Sequence, residues 1–314
     1  MNLSRCKIFE IEDKDEADLE SHDLHYVPLT DFDIPHGSRK MRVTAADGLL
    51  LLYSYIDDPE TLHVCNPLTR EYIVLCRPKD NTLFDCMFAF CVSKISGQYK
   101  VVCIGRTFYE SDYFLVYTLG TGIWRPVETS AAYAFILYHY GHVGYNGNLH
   151  YIVTDLVQHS FQLCGFDAET ECFSIFSPPP AIALPIDGDV GFYFEMTVFR
   201  DCLCICYIQD CEIIIWLMKE YRVEESWTKL STIGFDFDFG QVVNFVHPIK
   251  VFKDGDILML LNGYRFIFYS NKTKTIQRVG MFNDANAGYF FSEMIFTPSL
   301  FSLKSFESEN VFSF

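Results

Sequence analysis

Hydrophobic residues occur along this chain in short runs that polar turns separate. Four clear examples are Leu49–Tyr53, Tyr99–Ile104, Leu149–Val153 and Ile257–Leu261, each dominated by aliphatic and aromatic residues. Runs of this length between Gly, Asn, Asp or Pro residues are typical of β-strands, whereas an amphipathic helix repeats its apolar positions every three or four residues over a longer stretch. No segment shows a long helical pattern. The sequence therefore predicts an all-β protein.

One kind of polar turn recurs at a regular interval. Each instance follows one strand and precedes an aromatic or apolar residue that opens the next: Pro67–Arg70, Gly120–Gly122, Asp167–Thr170, Lys219–Glu225 and Asn271–Lys274. The centres of these turns are about fifty residues apart, which is close to the period of kelch-type propeller blades. One interval before the first turn, the acidic stretch Asp13–Asp23 separates two apolar runs. The spacing predicts a kelch-like β-propeller of six four-stranded blades.

The two ends of the chain are expected to close the ring. Five blades begin near residues 41, 86, 142, 193 and 244. The sixth would combine N-terminal strands at Cys6–Ile11 and Leu24–Pro28 with C-terminal strands at Phe290–Phe296 and Leu300–Leu303. A blade shared in this way removes open sheet edges. The predicted domain covers residues 1–305 and a tail covers 306–314, and the alternative is a two-sheet sandwich whose regular spacing is accidental.

Large aromatic residues occupy matching places after the turns. Trp124 and Trp227 follow their turns by a few residues, and Tyr72 and Phe173 hold the equivalent place in two other repeats. A partner-binding residue has no reason to recur at a fixed position in successive blades. A packing residue does, because each sheet must fill the space against its neighbour with a large side chain. We therefore predict that these aromatics belong to the core between blades.

Several stretches resemble the F-box-associated region of plant F-box proteins. The segment LHVCNPLTREYIVL at 62–75 is similar to the family's "NP-T-(R/K)" signature, and DGLL at 47–50 and GQYKVV at 97–102 resemble its "NGLL" and "DYKVV" segments. The most specific match is IIIWLMKEYRVEESWTKLSTI at 213–233, in which Arg222 replaces the usual Gly. The resemblance covers nearly the whole chain, from about Lys7 to Leu303.

This resemblance implies a protein-binding module without catalytic activity, which recognises the substrate of a Skp–cullin–F-box ubiquitin ligase. Family members normally begin with a helical F-box that docks on the Skp subunit, and no segment of this sequence resembles it. Skp and cullin are therefore expected as partners only if an F-box is supplied elsewhere, and the protein substrate stays unknown. The resemblance implies no cofactor and no metal ion.

Composition and charge narrow the classes of partner and compartment. Lys plus Arg number 24 and Asp plus Glu number 41, which gives a net charge of −17 and makes nucleic acid and anionic membranes poor partners. The chain has no apolar run of membrane-spanning length and no signal-peptide pattern at its start, so we expect a cytoplasmic or nuclear protein. Its twelve cysteines form no CxxC pair and lie in apolar runs such as Cys202–Cys206. They are predicted to be buried free thiols.

Residues that could carry catalysis are few. The sequence has none of the common nucleophile, zinc or phosphate-loop motifs. His139 and His142 lie in an aromatic run and are interpreted as core or loop histidines. Asp236 and Asp238 would share one face of an extended segment, and such a pair could serve a glycosidase if a cleft held both carboxylates at a suitable distance. A glycan-binding or glycan-hydrolysing six-bladed propeller is therefore the alternative function.

Topology indicates where a partner would bind. In a four-stranded blade, the loops that join the second strand to the third, and each blade to the next, lie on the same rim. This rim would collect the longest segments of the chain: Ser54–Thr61, Cys76–Asp85, Gly105–Asp112, Thr129–Gly141, Ser177–Gly191 and Ser231–Asn244. Aromatic residues in loops on a rigid scaffold are typical protein-recognition anchors. The candidate partner-binding residues are Tyr55, Asp57, Asp58, Phe108, Tyr109, Glu110, Phe135, Tyr138, Tyr140, Phe235 and Phe237.

Overall fold

A computed structural model describes most of the chain. The described residues are 5–11, 26–33, 41–54, 61–79, 83–107, 112–127, 135–155, 160–182, 194–235, 245–263, 265–279 and 296–313. Within these ranges the regular structure consists of β-strands and two single-turn 3-10 helices, Glu224–Ser226 and Leu303–Ser305. The prediction of an all-β protein is confirmed.

Five blades follow one another along the chain, and within each blade consecutive strands pair antiparallel. Blade 1 contains β3 (Met41–Ala46), β4 (Leu49–Ser54), β5 (Thr61–Asn66) and β6 (Glu71–Cys76). Blade 2 contains β7 (Leu83–Val92), β8 (Tyr99–Thr107), β9 (Asp112–Thr118) and β10 (Trp124–Pro126). Blade 3 contains β11 (Phe135–Tyr145), β12 (Asn148–Asp155), β13 (Ser160–Asp167) and β14 (Phe173–Phe176).

The last two of these blades have the same arrangement. Blade 4 contains β15 (Phe194–Phe199), β16 (Cys202–Gln209), β17 (Glu212–Met218) and β18 (Trp227–Gly234). Blade 5 contains β19 (Val246–Val251), β20 (Ile257–Leu261), β21 (Arg265–Ser270) and β22 (Thr275–Arg278). The first strands of successive blades contact one another, from β3 through β7, β11 and β15 to β19. The five blades therefore form a ring whose innermost strands surround a common axis, and the predicted positions of the blades are close to those observed.

Apolar side chains fill each space between successive blades. Leu51 and Tyr53 of blade 1 pack with Phe88 of blade 2, and similar clusters join blades 2 and 3, blades 3 and 4, and blades 4 and 5. Cys204 and Cys206 lie in the last of these clusters, and none of the twelve cysteines forms a disulfide. The prediction of burial is wrong for Cys76, Cys172 and Cys211, which are exposed. Burial of this apolar surface is the main stabilising term of such a ring.

A two-stranded sheet at the N-terminus packs against blade 1. Strand β1 (Arg5–Ile11) pairs antiparallel with β2 (Tyr26–Asp33), so the predicted second strand starts two residues later than expected and extends past Pro28. Pro28 is tolerated because the pairing is irregular beside it, where the register shifts after Ile8. Cys6 and Phe32 cover the face of blade 1 that points away from blade 2.

The C-terminal prediction needs a correction. Leu300–Leu303, expected as a strand, is irregular chain that leads into the 3-10 helix. Side chains of blade 1 hold this backbone, because Asn66 Nδ2 donates to the carbonyls of Ser299 and Phe301 at 2.9 and 2.8 Å. Glu71 accepts from Ser302 Oγ and from the Leu303 amide, both at 2.9 Å. These contacts replace the ladder hydrogen bonds of a strand.

The rest of this C-terminal segment also contacts blades 1 and 2. Leu303 is fully buried in the cluster between them, and Tyr117 Oη donates to Glu309 Oε1 at 2.7 Å. Residues 306–313, expected as a tail, supply strand β23 (Val311–Ser313), which pairs with β6. Of the predicted strand Phe290–Phe296, only its last residue is described. We call residues 296–313 the C-terminal strap.

The recurring turns join the third and fourth strands of each blade, as predicted. In three of them the fifth residue has a left-handed backbone and its amide bonds the carbonyl four residues earlier: Arg70 to Asn66, Glu171 to Asp167 and Lys274 to Ser270. The residue that starts each turn also accepts hydrogen bonds from turn amides through its side chain. Asn, Asp and Ser suit this position because their side chains bond the backbone two or three residues ahead.

The aromatic residues after these turns pack against the preceding unit of the ring. Trp227 is 7% exposed and its indole N–H donates to the Ser177 carbonyl of blade 3 at 3.1 Å. Trp124 makes the equivalent bond to the Cys76 carbonyl of blade 1 at 2.8 Å. Phe173 packs on blade 2, and Tyr72 packs on the cluster that includes Cys6 and Phe32 of the N-terminal sheet. The prediction that these aromatics form core between blades is confirmed.

Candidate functional site

The ring has two different rims. The turn rim carries the connections between the first and second strands and between the third and fourth strands of each blade. The loop rim carries the connections between the second and third strands and between blades. In blade 4, for example, Arg200–Asp201 lies at the turn rim and Asp210–Cys211 lies at the loop rim. This division follows from the antiparallel pairing in chain order.

Most of the predicted partner-binding residues cannot be placed from the structure. Seven lie outside the described residues, in chain segments that connect strand ends of the loop rim: Tyr55, Asp57, Asp58, Phe108, Tyr109, Glu110 and Phe237. The structure therefore neither assembles nor separates this set, and their role stays a prediction.

The other four predicted residues can be placed at least by their backbone. Phe135, Tyr138 and Tyr140 were expected in a loop, but they belong to strand β11. The strand starts early because Phe135 to Leu137 pair with the far end of β12, and Tyr138 to Gly141 form an irregular stretch before pairing resumes at His142. Phe235 is partly buried and packs on the cluster between blades 4 and 5. It contributes to packing.

The innermost strands bring polar residues together around the axis at equivalent positions. Counted as cross-strand pairs from the turn rim, Thr44 of β3 and Thr197 of β15 both belong to the third pair. His142 of β11 and His247 of β19 both belong to the fourth pair, because a register shift in β19 offsets its numbering by one residue. The same type of side chain therefore lies at the same height on different blades.

Two Thr–His hydrogen bonds link innermost strands, one between blades 1 and 3 and one between the successive blades 4 and 5. Thr44 Oγ1 and His142 Nε2 are 3.0 Å apart, and Thr197 Oγ1 and His247 Nε2 are 3.2 Å apart. Burial lowers the pKa of both histidines to about 4, and the positive charge of Arg42 adds to the effect at His142. Both imidazoles are therefore neutral at physiological pH, since loss of hydration penalises the charged form.

One level closer to the loop rim, opposite charges occupy equivalent positions. Arg42 and Glu195 both belong to the fifth pair of their innermost strands. Arg42 is hydrogen-bonded to Tyr53, its cross-strand neighbour. The carboxyl of Glu195 has no hydrogen-bond or ion-pair partner among the described residues. Burial against β16, where Cys206 is its cross-strand neighbour, raises the pKa of Glu195 to about 7.

Two buried polar atoms of this region also lack partners in the described part of the chain. They are Nδ1 of His142 and Oη of Tyr151, whose rings are 6.1 Å apart. Buried polar atoms are almost always hydrogen-bonded to protein, water or a ligand. We call Arg42, Thr44, His142, Glu195, Thr197 and His247 the axial site. It can donate and accept hydrogen bonds and offers one carboxylate that is not engaged.

The axial site was missed by sequence reasoning, although a weak signal exists. Strand β3 reads MRVTAA and β15 reads FEMTVF, so a charged residue precedes a Thr by two positions in both. Recognising that these strands are equivalent requires the pairing register, because the two charges are opposite in sign. His142 was interpreted as a core or loop residue, and it lies on an innermost strand.

The described ranges offer little other chemistry. No group of three or more His, Cys, Asp or Glu residues there could hold a metal ion. None of the helices in the part of the chain that the structure covers has the length and apolar character needed to cross a membrane. Asp236 and Asp238, the pair considered for glycosidase chemistry, lie outside the described residues.

Comparison with known proteins identifies relatives of the chain. Residues 6–293 match the family described as "F-box associated beta propeller domain". The Arabidopsis thaliana "F-box protein CPR1" is 26% identical over 260 residues, which cover 73% of this chain and 61% of that protein. The "F-box protein At3g07870" of the same plant is 25% identical over 279 residues, with coverages of 77% and 64%. The chain thus spans about three fifths of the length of these relatives.

Solved structures show a more distant likeness. A chain described as "Structure of Dos1 propeller" aligns with a TM-score of 0.39 and 10% sequence identity, over 75% of this chain and 65% of that one. A similarity of this size carries no argument about function.

Proposed function

Because this chain belongs to the family of F-box associated beta propeller domains, we propose that it recognises a protein substrate for a Skp–cullin–F-box ubiquitin ligase. The family match over residues 6–293 is the observation that carries the proposal. The similar Arabidopsis proteins are F-box proteins by name, which supports the same role. In this proposal the chain is non-catalytic, and ubiquitin transfer is left to other subunits.

The proposed partners and compartment follow from this role. The substrate is a protein, and Skp and cullin are partners only if an F-box is supplied elsewhere. A ligase of this class works in the cytoplasm or nucleus. Twelve free cysteines agree with such a reducing compartment. The net charge of −17 disfavours nucleic acid and anionic membrane as partners.

The loop rim is the proposed substrate-binding surface. Its predicted anchors are the aromatic and acidic residues of the long connections, with Tyr55, Phe108 and Tyr109 as the largest side chains. The turn rim is less suited to this role, because its recurring side chains are engaged in hydrogen bonds within and between blades. A few large aromatic side chains on a rigid scaffold can supply most of the binding energy of an interface.

We also propose that the N-terminal sheet is part of a sixth blade. It occupies the space next to blade 1 that a preceding blade would fill, and Tyr72 packs on it as Trp124 packs on blade 1. On its other side, Lys250 of blade 5 donates to the Ile11 carbonyl of β1. Phe296 joins the same cluster as Cys6 and Phe32, which supports a blade shared by the two chain ends.

An F-box fusion tests the substrate-recognition role. The F-box segment of the Arabidopsis F-box protein CPR1 is joined to residue 1, the fusion is expressed in Arabidopsis cells, and ubiquitinated proteins are quantified by mass spectrometry. We expect a small set of proteins whose ubiquitination rises with the fusion and falls with the double variant Phe108→Ala and Tyr109→Ala. Ile123→Ala, at an exposed turn-rim position, is the matched control and should leave the set unchanged.

The outcome also decides between the proposed function and its alternative. If no protein is ubiquitinated in a chain-dependent way, the substrate-recognition role is wrong. A glycan-binding or glycan-hydrolysing propeller would then be favoured, and binding or cleavage of soluble polysaccharides by the purified chain would test it directly.

A further inference from the structure

The carboxyl of Glu195 is unusual because it has been taken partly out of water without a partner. Burying an acidic group is costly unless a cation or hydrogen-bond donor compensates it. The other described ionised groups in the interior are compensated, as at Lys100, whose ammonium lies 2.8 Å from Glu171 Oε1. Among the described side chains of the innermost strands, Glu195 is the one carboxylate. This arrangement suits a site that is completed by a group from outside the chain.

The surroundings of Glu195 favour a cation as that group. Thr197 and His247 are bonded to each other beside it, and the His247 imidazole stays neutral, so it does not repel a positive charge. Arg42 lies at the equivalent position of another blade and is engaged with Tyr53. Its positive charge makes the side of the axis near Glu195 the more favourable place for a cation. The net charge of −17 attracts basic segments from a distance.

The position of Glu195 on its strand determines the rim from which a cation can reach it. Glu195 is the second residue of β15, immediately after the connection from blade 3, so it lies close to the loop rim. This is the rim that we propose for substrate binding. A long flexible side chain that enters the axis from this rim would reach the carboxylate before it meets the Thr–His pairs.

We propose that the loop-rim end of the axis receives a Lys or Arg side chain of the bound protein and that Glu195 is its counter-ion. This inference rests on the proposed function, and it adds that the recognised segment of the substrate is basic. The pair would be charge-assisted and partly shielded from solvent, which strengthens it relative to a surface ion pair.

Below neutral pH, a cation that binds here must also displace a proton from the carboxyl of Glu195. At about pH 6 the Glu195 carboxyl is mostly protonated, because its pKa is about 7. The titratable groups beside it do not change charge in this range, since burial raises the pKa of the Cys206 thiol and lowers that of His247 to about 4. Binding of a basic side chain would therefore release more protons at this pH than at about pH 8.

The test uses random peptides displayed on phage and selected on the purified full chain. We expect the enriched peptides to share a Lys or Arg, and the best of them, made synthetically, to bind Glu195→Gln at least about tenfold more weakly. Titration calorimetry in two buffers with different ionisation enthalpies should show the proton release with wild type and not with Glu195→Gln. The Gln variant should fold, because it removes a buried charge and keeps the shape.

Glu212→Gln is the matched control. Glu212 is an exposed acid at the loop rim of the same blade, so its substitution removes a carboxylate from the same rim but leaves the axis intact. Binding that is equal in wild type and Glu195→Gln, or equally weakened by both substitutions, overturns the proposal while leaving a protein-binding role in place. Enrichment of peptides without a shared basic residue, or no enrichment, also overturns it. The fusion experiment separately decides whether substrate recognition itself is wrong.

Discussion

The turn rim and the axial site use polar side chains in opposite ways. At the turn rim, Asn66 donates to two carbonyls of the C-terminal strap and accepts from two turn amides. At the axial site, the buried Nδ1 of His142 has no hydrogen-bond partner among the described residues. Satisfied polar groups hold a fold together, whereas buried ones without partners need water or a ligand. The recurring motifs of this sequence therefore belong to the fold, and its axial residues are better candidates for binding.

Among the residues that follow the recurring turns, Trp227 should have the largest effect on stability when it is truncated. Trp227→Ala removes a large buried ring from the cluster between blades 3 and 4 and leaves a cavity. We expect the free energy of unfolding to fall by about 3–5 kcal/mol. Urea denaturation followed by tryptophan fluorescence and circular dichroism would measure it.

Two further variants sharpen this prediction. Trp227→Phe keeps most of the apolar contact but loses the bond to the Ser177 carbonyl, so it should cost about 1 kcal/mol from that bond. Trp124→Ala, at the equivalent but more exposed position, should cost less than Trp227→Ala. A Trp227→Ala protein that unfolds like wild type but loses a partner would make this residue part of a binding surface and reverse our interpretation.

Acid should weaken the junction between blades 3 and 4 through His150. Its side chain is fully buried, its Nε2 lies 2.9 Å from Tyr221 Oη, and desolvation lowers its pKa to about 4, with a smaller effect from the charge of Arg222. The unfolded chain binds a proton near pH 6.5, so stability is full above that pH and is lost as the pH falls towards 4.

The size of this acid effect can be measured with one substitution. Between about pH 7 and pH 4.5, wild type should lose about 2–3 kcal/mol of unfolding free energy through His150. His150→Gln cannot lose this contribution, so the stability gap between the two proteins should narrow by that amount at the lower pH. A gap that stays constant with pH would show that His150 is not buried as a neutral group.

Loss of the Asn66 side chain should lower the stability less, because its hydrogen bonds reach only the C-terminal strap and one turn. Asn66→Ala removes two hydrogen bonds to the strap and two to the turn, and we expect a loss of about 2 kcal/mol. Asp167→Ala, at the equivalent turn of blade 3, removes the turn bonds alone and should cost about 1 kcal/mol. Equal losses in the two variants would mean that the strap adds nothing to stability.

Much of the fold was predictable because it is repeated. Turns such as Pro67–Arg70 follow rules that act within five residues, and Trp124 and Trp227 could be recognised as core because they recur at one place in different blades. The C-terminal strap could not be predicted in this way. Whether Leu300–Leu303 forms a strand is decided by the side chains of Asn66 and Glu71, more than two hundred residues away.

The axial site was hidden for a different reason. A single Glu in FEMTVF looks like an ordinary outward-facing strand residue, and its burial depends on which strand is innermost. The match between His142 and His247 is also obscured, because a register shift after Pro248 displaces one of them along the sequence. Local patterns reveal what every blade shares, whereas a site built once from several blades leaves no repeated signal.

The smallest expected effect concerns Arg222, where this chain departs from the Gly usual in the family it resembles. Its backbone has a φ of 63°, in the left-handed region where side chains with a Cβ are strained and Gly is not. The Arg side chain partly compensates, because it reaches Asn148 Oδ1 at 3.5 Å and lies 5.4 Å from the Tyr221 ring. Arg222→Ala loses these contacts and keeps the strain, whereas Arg222→Gly loses both. We therefore expect the Gly variant to be about 1 kcal/mol more stable than the Ala variant in urea denaturation, with wild type between them. An Ala variant as stable as the Gly variant would show that the turn is not strained, and that the choice of Gly at this place has another cause.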